Sequence, residues 1–444
     1  MLADHEPAVH RIDEVRRAAV APMAKPVGLG WKVGVGILGA LVAAAAAAFA
    51  YQWSTGIGVT GLNDDVFWGI YTVDLVTFIG FSYGGAMVSA ILRLTHASWR
   101  GPISRIAEAT ALVTLTVGAV FPIVHLGRPE RAWEMFTRFQ IDSPIAWDMV
   151  AIVTYLFATA VLFALPLIPD MALIPDDVRL GGWRSRFRHW WGRGWVGDPQ
   201  QRRHLERALT MISIVIIPLA VMVHTVLSYA FSLTSRPGWH STIFGPYFVV
   251  AAIYSGIAVV IVAAAAYRRA YGLQRVMPDR AFINLGYIMV ALGVAYAYLL
   301  FTEVTTEGYV GEESAEGLLF AVVLDRFSPL FWTFVVTGLV IPITLLAIPK
   351  TRSVIGVTVA AALVAASLYL KRFLMIVPPL TQPLIGGEAG SYSPSWVEIT
   401  VTLGALAAIP LLLMLLFRWV PVLAIHEIEE IEATGAGAGG GGRA

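Results

Sequence analysis

Residues 67–93 read FWGIYTVDLVTFIGFSYGGAMVSAILR, a long apolar run that contains one acidic side chain, Asp74, and ends on one basic side chain, Arg93. An α-helix that crosses a bilayer needs about 20 mostly apolar residues. A strand of a membrane barrel has about 10 residues of alternating character, and this run neither ends so soon nor alternates. The stretch therefore predicts a transmembrane helix.

Nine further segments of the same kind flank this run. The ten predicted helices, numbered 1 to 10 in chain order, cover 31–50, 67–93, 105–126, 144–168, 207–233, 245–267, 281–303, 328–349, 353–377 and 396–420. The composition agrees, because 57% of the residues are hydrophobic and only 14% are charged, whereas soluble proteins carry about a quarter charged residues. We predict an all-α polytopic membrane protein with ten transmembrane helices, surrounded by membrane lipid.

The composition also excludes several kinds of site. The chain has no cysteine, so it has no disulfide, thiolate metal site, cysteine nucleophile or self-ligated iron–sulfur cluster. A net charge of +1 argues against a nucleic-acid partner. One haem between His125 and His224 is disfavoured, because axial histidines normally lie in helix interiors. We therefore expect no metal and no covalent cofactor in this chain.

The basic residues predict the orientation. Most of the 31 Lys and Arg residues fall in loops on the side of the N-terminus, and the excess remains when the long loop between helices 4 and 5 is left out. By the positive-inside rule both termini are cytoplasmic, and we expect a bacterial inner-membrane location. The 183–195 part of the long loop interleaves Trp and Arg, which is typical of an anchor in the inner headgroup layer; a cytoplasmic partner is the other interpretation.

Seven ionisable residues within the predicted helices are candidates by their depth, all of them in the outer halves, and the inner halves show no clear buried charge. The seven are Asp74, His125, Asp148, His224, Glu303, Lys371 and Arg372. A charge inside a bilayer is costly, so each is a candidate for function. Simpler structural interpretations exist for several of them.

In three of these interpretations the ionisable residue has a structural partner elsewhere in the predicted helices. Glu303 has an ion-pair partner in Lys371 or Arg372. Asp74 has a hydrogen-bond partner in Tyr71, three residues earlier on the same helix face, and His224 has one in Ser228.

His125 and Asp148 form the most informative combination. Helices 3 and 4 are consecutive and antiparallel, so we expect their outer ends to be neighbours. A histidine and a carboxylate at one depth accept protons near neutral pH, although a helix-end histidine with a structural partner is the alternative. A lipid-soluble quinol gives up two protons and two electrons on oxidation and needs such bases. With no cofactor in this chain, the electrons would pass to a partner on the outer face.

The same two residues lie in recognisable motifs. Residues 121–133 read FPIVHLGRPERAW and residues 143–148 read SPIAWD. They resemble the NrfD/PsrC family of membrane subunits, in which a His-Leu-Gly-Arg-Pro segment follows a helix. The motifs VHTVLSY at 223–229, YLKRFLMIVPPL at 369–380 and YSPSWVEI at 392–399 resemble, in this order, the ActC branch, a subunit of alternative complex III.

The resemblance implies two four-helix bundles, helices 2–5 and 6–9, flanked by helices 1 and 10. It implies a quinol, expected to be menaquinol, bound in the first bundle near the outer face. There His125 takes one proton and Asp148 orients it or takes the second. The other implied quinone contacts are Arg128, Asp74 and Tyr71, and the implied proton relay candidates are Asp74, His224, Glu303, Lys371 and Arg372.

The resemblance also implies partners, because the subunit itself holds no redox cofactor. These are an iron–sulfur subunit on the outer face, a multihaem cytochrome c subunit, a second NrfD-like membrane subunit and a terminal oxidase. Two departures from the family pattern matter. Ala230 stands where an acid is common six residues after the helix 5 histidine, which argues against a proton route through that acid. Glu130 replaces a common aromatic residue after the motif proline, which is expected to alter the loop.

The predicted domain organisation follows from these assignments. It comprises a cytoplasmic tail (1–30), helix 1 with an outer loop (31–66), a first bundle with the quinol site (67–233), a second bundle (234–377), an outer loop with helix 10 (378–425) and a disordered cytoplasmic tail (426–444).

Two alternative functions remain open. Within the family, the chain would be the quinone-reactive anchor of a molybdopterin reductase or hydrogenase complex. From another class, it would be a secondary transporter, which requires broken helices at matching places in two halves and charges at the midplane. Pro218 and Pro342 do not occupy equivalent places, and the charges lie above the midplane. We therefore predict a quinol-oxidising subunit of a respiratory or photosynthetic electron-transfer complex, inactive alone.

Overall fold

The computed structural model describes residues 8–178, 180–310, 313–383 and 389–431. Within these ranges no strand occurs, and ten helices are long and apolar enough to cross a membrane. These helices 1 to 10 are Leu29–Thr55, Ile70–Leu94, Gly101–His125, Pro144–Ala172, Pro199–Ser232, Phe244–Tyr271, Asp279–Tyr309, Ser328–Ala347, Val354–Thr381 and Trp396–Leu416. Each overlaps one predicted segment, with ends that differ by up to eight residues, and this confirms the all-α polytopic class.

Short helices occupy the connections. They are Ala8–Ala19, Ala21–Ala24, Ile57–Val59, Pro129–Arg131, Glu134–Thr137, Trp183–Trp191, Leu273–Arg275 and Glu313–Val323. Trp183–Trp191 lies in the loop between helices 4 and 5, where Trp183 and Trp190 are exposed. Exposed Trp residues on a basic helix suit the headgroup anchor that the sequence favours.

Prolines interrupt three of the long helices. Helix 3 consists of Gly101–Gly118 and Phe121–His125, with Pro122 in the first turn of the second piece. Helix 4 is broken before Leu167–Ala172 in the same way, and helix 8 widens to a π-helical turn just before Pro342. Proline lacks an amide hydrogen and clashes with the preceding turn, which bends a helix. The break in helix 3 sets the direction of the short turn that ends at His125.

The long helices make two closed rings of contacts. Helix 2 contacts helices 3 and 5, and both of these contact helix 4; helix 6 contacts helices 7 and 9, and both of these contact helix 8. Helix 2 also packs on helix 6, and helix 1 packs on helix 10. At the crossing of helices 2 and 6, a Cβ on Gly84 would lie 2.0 Å from the carbonyl carbon of Gly256. Small residues allow this close approach of two backbones.

A cluster of buried charges lies where the N-terminal end of helix 3 meets the C-terminal end of helix 4. Arg105 donates hydrogen bonds to Asp170 at 2.5 Å and to the carbonyl oxygen of Phe163 at 3.0 Å, and Glu108 accepts one from Ser89 at 2.7 Å. Arg105 and Asp170 have no exposed surface. The expectation that the inner halves lack buried charge is therefore wrong. Helix 3 begins four residues earlier than predicted, which places Glu108 two turns inside it.

The first short helix and residues 425–431 pack together at this end of the molecule. Residues 425–431 are helical and mostly buried, and Glu427 accepts a hydrogen bond from Arg93. The backbone amide of His426 donates to Asp170 at 2.8 Å, and Arg16 of the first short helix donates to Glu429 at 2.6 Å. Disorder was thus the wrong expectation for 426–431, because long-range ion pairs hold this segment; residues 432–444 lie outside the described ranges.

Candidate functional site

His125 closes the short helical turn at the end of helix 3. It is partly exposed, but its Nδ1 is shielded and has no hydrogen-bond partner among the described residues. Buried polar atoms in proteins are normally paired, so an unpaired nitrogen calls for an explanation. A neutral imidazole with a free ring nitrogen can accept a proton or a hydrogen bond from a bound molecule.

Asp148 lies in the second turn of helix 4, at the same end of the molecule. It shares a buried helix face with Ala151, Ile152 and Tyr155 and is only 8% exposed. Its Oδ1 also has no partner within the part of the chain that the structure describes. No hydrogen bond joins Asp148 to His125 there. The two groups therefore lie at one end of consecutive helices and leave an oxygen and a nitrogen available to a ligand.

Gln52 and Tyr71 fix the backbone next to His125. The Tyr71 hydroxyl donates to Oε1 of Gln52 at 2.6 Å, and Nε2 of Gln52 donates to the carbonyl oxygen of Val124 at 2.9 Å. Tyr71 therefore does not bond Asp74, and that structural interpretation is wrong. Sequence reasoning missed Gln52, although an amide within the apolar run of helix 1 was the available signal.

Asp74 is fully buried and already has two hydrogen-bond donors. Tyr369 donates to Oδ1 at 2.8 Å and Thr402 donates to Oδ2 at 2.6 Å. These contacts link helices 2, 9 and 10. Asp74 thus differs from Asp148, because both of its oxygens are satisfied within the protein.

His224 and Arg372 meet beside Gly80, between the two rings of helices. A Cβ on Gly80 would lie 2.5 Å from a terminal nitrogen of Arg372 and 3.6 Å from Nε2 of His224. Arg372 donates to Ser255 at 2.9 Å, whereas both ring nitrogens of His224 are buried without a partner in the described ranges. Ser228 donates to the carbonyl oxygen of Thr225 rather than to the histidine, so that expected pairing is wrong.

Lys371 makes the ion pair that the sequence allowed. Its Nζ lies 3.1 Å from Oε2 of Glu303, and both side chains are about nine-tenths buried. Lys371 also lines a small cavity of about 20 Å³ with Tyr247, Tyr296 and His224. The side chains of His224, Lys371 and Arg372 therefore line one small cavity, whose other walls are apolar or tyrosine side chains.

The loop after His125 presents an apolar surface. Trp133 and Phe136 are 60% and 63% exposed, and Arg128 is exposed as well. Glu130, where the family pattern favours an aromatic residue, accepts a hydrogen bond from Trp53 of helix 1 at 3.1 Å. Contiguous exposed apolar residues mark a membrane or protein contact.

Glu398 is a buried acid near the site that sequence reasoning did not select. It accepts hydrogen bonds from the backbone of Gly61 at 2.6 Å, from the Tyr392 hydroxyl at 2.7 Å and from the backbone of Ser395 at 2.8 Å. Ser395 and Glu398 form a capping box at the start of helix 10, a pattern readable as Ser-x-x-Glu. Burial, together with the Glu398 charge, raises the pKa of Tyr392 above its ordinary value, which keeps this hydroxyl a donor.

Three potential metal ligands lie at the opposite end of the molecule. Ligand atoms of Glu206, His426 and Glu430 fall within 4.8 Å of one another. Arg93 lies 3.7 Å from Glu206, and Arg100 lies 3.0 Å from Glu430. Ion pairing with these arginines accounts for the group without a metal.

Comparison with known proteins agrees with the membrane architecture. A protein of Halobacterium salinarum, assigned as a membrane component of a dimethyl sulfoxide reductase, is 26% identical, with 92% of this chain and 95% of the relative covered. An Hdr-like menaquinol oxidoreductase integral membrane subunit of Archaeoglobus fulgidus is 24% identical, with 86% and 92% covered. A subunit of the selenate reductase of Mesobacillus selenatarsenatis is 23% identical, with 83% and 89% covered.

The family model described as "Polysulphide reductase, NrfD" matches residues 58–383. The match includes helices 2 to 9, and with them His125, Asp148 and the cavity lined by His224 and Lys371. Since it covers most of the chain, this protein belongs to the NrfD family, and it is a multi-pass integral membrane protein.

Proposed function

We propose that this protein is the quinol-oxidising membrane subunit of an electron-transfer complex. The observation that carries the proposal is the pair of unpartnered, shielded atoms at one end of the first ring of helices, Nδ1 of His125 and Oδ1 of Asp148. One is an imidazole nitrogen that can accept a proton, and the other is a carboxylate oxygen on a buried helix face. The substrate is a lipid-soluble quinol, and menaquinol is the proposed species, in keeping with the name of the Archaeoglobus relative.

The proposed reaction balances two protons and two electrons. The quinol hydroxyl nearest His125 gives its proton to Nδ1, and the other hydroxyl gives its proton to Asp148. Both electrons leave to an acceptor on a partner subunit, and the product is the quinone. The protons then pass to water at the outer side, which contributes to the proton-motive force.

Neighbouring residues have supporting roles in this proposal. Tyr71 and Gln52 hold the backbone at Val124 and so fix the position of His125. Arg128 completes the quinone site from the exposed loop. Both oxygens of Asp74 already accept hydrogen bonds, so Asp74 is proposed as a relay residue rather than as a direct contact of the quinol.

The relay candidates connect the two rings of helices. They are Asp74, His224, Glu303, Lys371 and Arg372. Support comes from the small cavity that His224, Lys371 and Arg372 line together. The cavity thus brings together three of the relay candidates, one from helix 5 and two from helix 9, and ionisable groups within a membrane commonly form such relays.

The proposed partners follow from the electron balance. An iron–sulfur subunit on the outer face takes the electrons, and the exposed Trp133 and Phe136 provide an apolar surface for it. A multihaem cytochrome c subunit, a second NrfD-like membrane subunit and a terminal oxidase complete an assembly like alternative complex III, whose ActC subunit the motifs resemble. Both termini lie in the cytoplasm of a bacterial cell in this arrangement.

A second candidate is the quinone-reactive anchor of a molybdopterin reductase or a hydrogenase complex. The relative that is named as part of a selenate reductase favours a reductase. A reductase that draws its electrons from the membrane also oxidises quinol, so the chemistry at His125 and Asp148 would be the same. The partner that copurifies with the chain, a multihaem cytochrome or a molybdopterin enzyme, separates the two candidates.

Photoaffinity labelling with an azido-quinone tests the location of the substrate. The assembled complex is irradiated with the probe, digested and analysed by mass spectrometry. We expect labels within residues 121–150, and we expect excess quinol to suppress them. Labels confined to helices 6–9 would overturn the assignment.

A further inference from the structure

A groove of about 650 Å³ opens on the protein surface where helices 1, 6 and 10 meet. Its walls are apolar, with Val262, Ala263 and Ala266 on helix 6 and Leu413 and Met414 on helix 10. Its mouth lies at the start of helix 1 and at the ends of helices 6 and 10, which is the side opposite His125. The volume falls within the range of about 300–1,000 Å³ typical of small-molecule sites.

Two hydrogen-bonding side chains line the groove without partners. The Tyr267 hydroxyl and the indole Nε1 of Trp31 are both shielded and unpaired among the described residues. Tyr267 is only 8% exposed. A buried hydroxyl or indole N–H normally finds an acceptor. The groove thus offers donors to a ligand that carries acceptor oxygens.

Positive charge collects at the mouth of the groove. Arg418 and Lys25 line it, and the charge of Arg184 acts on Arg418. Arg418 donates to the carbonyl oxygens of Pro22 and Lys25, and Arg184 donates to that of Met23. Carbonyl groups do not neutralise these charges. The ion pairs found in the described ranges include none of the three cations.

We propose that this groove binds an anionic phospholipid of the leaflet on the N-terminal side. One acyl chain lies along the apolar wall formed by helices 6 and 10. The phosphate lies between Lys25 and Arg418, and Tyr267 and Trp31 donate to oxygens of the lipid. Basic pockets between transmembrane helices recognise anionic headgroups in this way, and Trp and Tyr favour the headgroup layer.

Charge complementarity favours a lipid over a helix of another subunit. An apolar helix in the groove would bury unneutralised cations, which is costly. An anionic headgroup neutralises them and leaves its hydrophobic tail in the bilayer. The proposal concerns the side of the membrane away from His125 and is independent of the quinol site.

Native mass spectrometry of the purified full chain tests this directly. The protein is delipidated in detergent and titrated with dioleoylphosphatidylglycerol or, as the zwitterionic probe, dioleoylphosphatidylcholine. We expect preferential binding of phosphatidylglycerol. Loss of one cation near a membrane surface is expected to weaken this binding about fivefold, in Lys25→Gln and in Arg418→Gln alike.

Two further variants keep the test sharp if Arg418→Gln disturbs the N-terminal segment. Arg418→Lys keeps the charge and should retain most of the preference, and Ala266→Leu fills the groove without a charge change and should reduce binding. Arg269→Gln is the matched control, because Arg269 is exposed at the same end of helix 6 and is expected to change nothing. Equal binding of the two lipids, an equal loss in Arg269→Gln, or a second copy of the chain covering the groove would overturn the proposal.

Discussion

The hydroxyl of Tyr71 donates a 2.6 Å hydrogen bond to Oε1 of Gln52, and the same amide donates from Nε2 to the backbone one residue before His125. Helices 1 and 2 thereby hold the last turn of helix 3. The contact matters because the break in helix 3 leaves this turn with little support from its own helix.

Tyr71→Phe should slow quinol oxidation without preventing assembly. The substitution leaves the Gln52 oxygen unpaired and loosens the backbone next to His125, and a small misplacement of a reacting group costs on the order of tenfold or more in rate. We expect kcat to fall about tenfold, measured as menaquinol oxidation by the intact complex. Tyr51→Phe, on an exposed neighbour, is the matched control.

A double-mutant cycle tests whether Tyr71 and Gln52 act together on His125 or independently of each other. If Tyr71 and Gln52 act on His125 as one unit, then Tyr71→Phe combined with Gln52→Leu should be no slower than the slower single variant. Rates that multiply would show that the two side chains act separately.

Asp170→Ala should destabilise the protein strongly. It removes the shorter of the two carboxylate contacts of buried Arg105 and leaves only Glu108 at 3.3 Å, which costs about 3 kcal/mol, and it removes the acceptor for the His426 amide. We expect a large fall in Tm, measured by thermal unfolding in detergent. The control is Asp176→Asn, which removes a fully exposed partner of Arg188 and should leave Tm nearly unchanged, because exposed ion pairs contribute little to stability. Equal Tm values for the two variants would contradict the buried pair.

Gly84→Ala should disrupt the crossing of helices 2 and 6. The added methyl group would overlap the backbone at Gly256, and overpacking of this kind costs about 1–3 kcal/mol or more. We expect a smaller folded fraction after heating, measured by size-exclusion chromatography. Gly39→Ala on helix 1 meets no atom within 4 Å and should leave this fraction unchanged, so similar losses in both variants would argue against the close crossing.

Lys371→Met should destabilise the protein, because it removes the ion-pair partner of Glu303, whose side chain is about nine-tenths buried. The expected cost is about 3–5 kcal/mol, measured as a change in Tm against the exposed control Lys350→Met. The double variant with Glu303→Leu should recover much of this stability, since an apolar pair can replace a buried ion pair. Normal quinol oxidation by the double variant would remove these two residues from the proposed relay.

The sequence predicts the long helices well, because a membrane span is defined by the length and apolarity of one continuous segment, and both can be read from the local sequence. It selects Asp74 as a buried acid but not its partners, since Tyr369 and Thr402 lie 295 and 328 positions away. Arg105, Glu108 and Asp170 were missed for a related reason. Their charges compensate one another only in the folded protein, and a count of charges by depth does not reveal this.

The candidate site shows the same limit. The sequence identifies the motif around His125 and the acid at Asp148. It also predicts that both lie at one end of helices 3 and 4. The supporting contact through Gln52 depends on how helix 1 packs, because its apolar run has no strong periodicity that would identify one buried face.

The most direct measurement is the steady-state rate of menaquinol oxidation by the purified, intact complex that carries His125→Ala or Asp148→Asn. Loss of a general base typically costs about 10²–10⁴ in rate, so we expect at least a hundredfold fall in both variants while the complex keeps all of its subunits. Asp142→Asn, an exposed acid in the same loop, should oxidise quinol at the rate of the unaltered complex. Normal turnover in His125→Ala and Asp148→Asn would contradict the proposed quinol site.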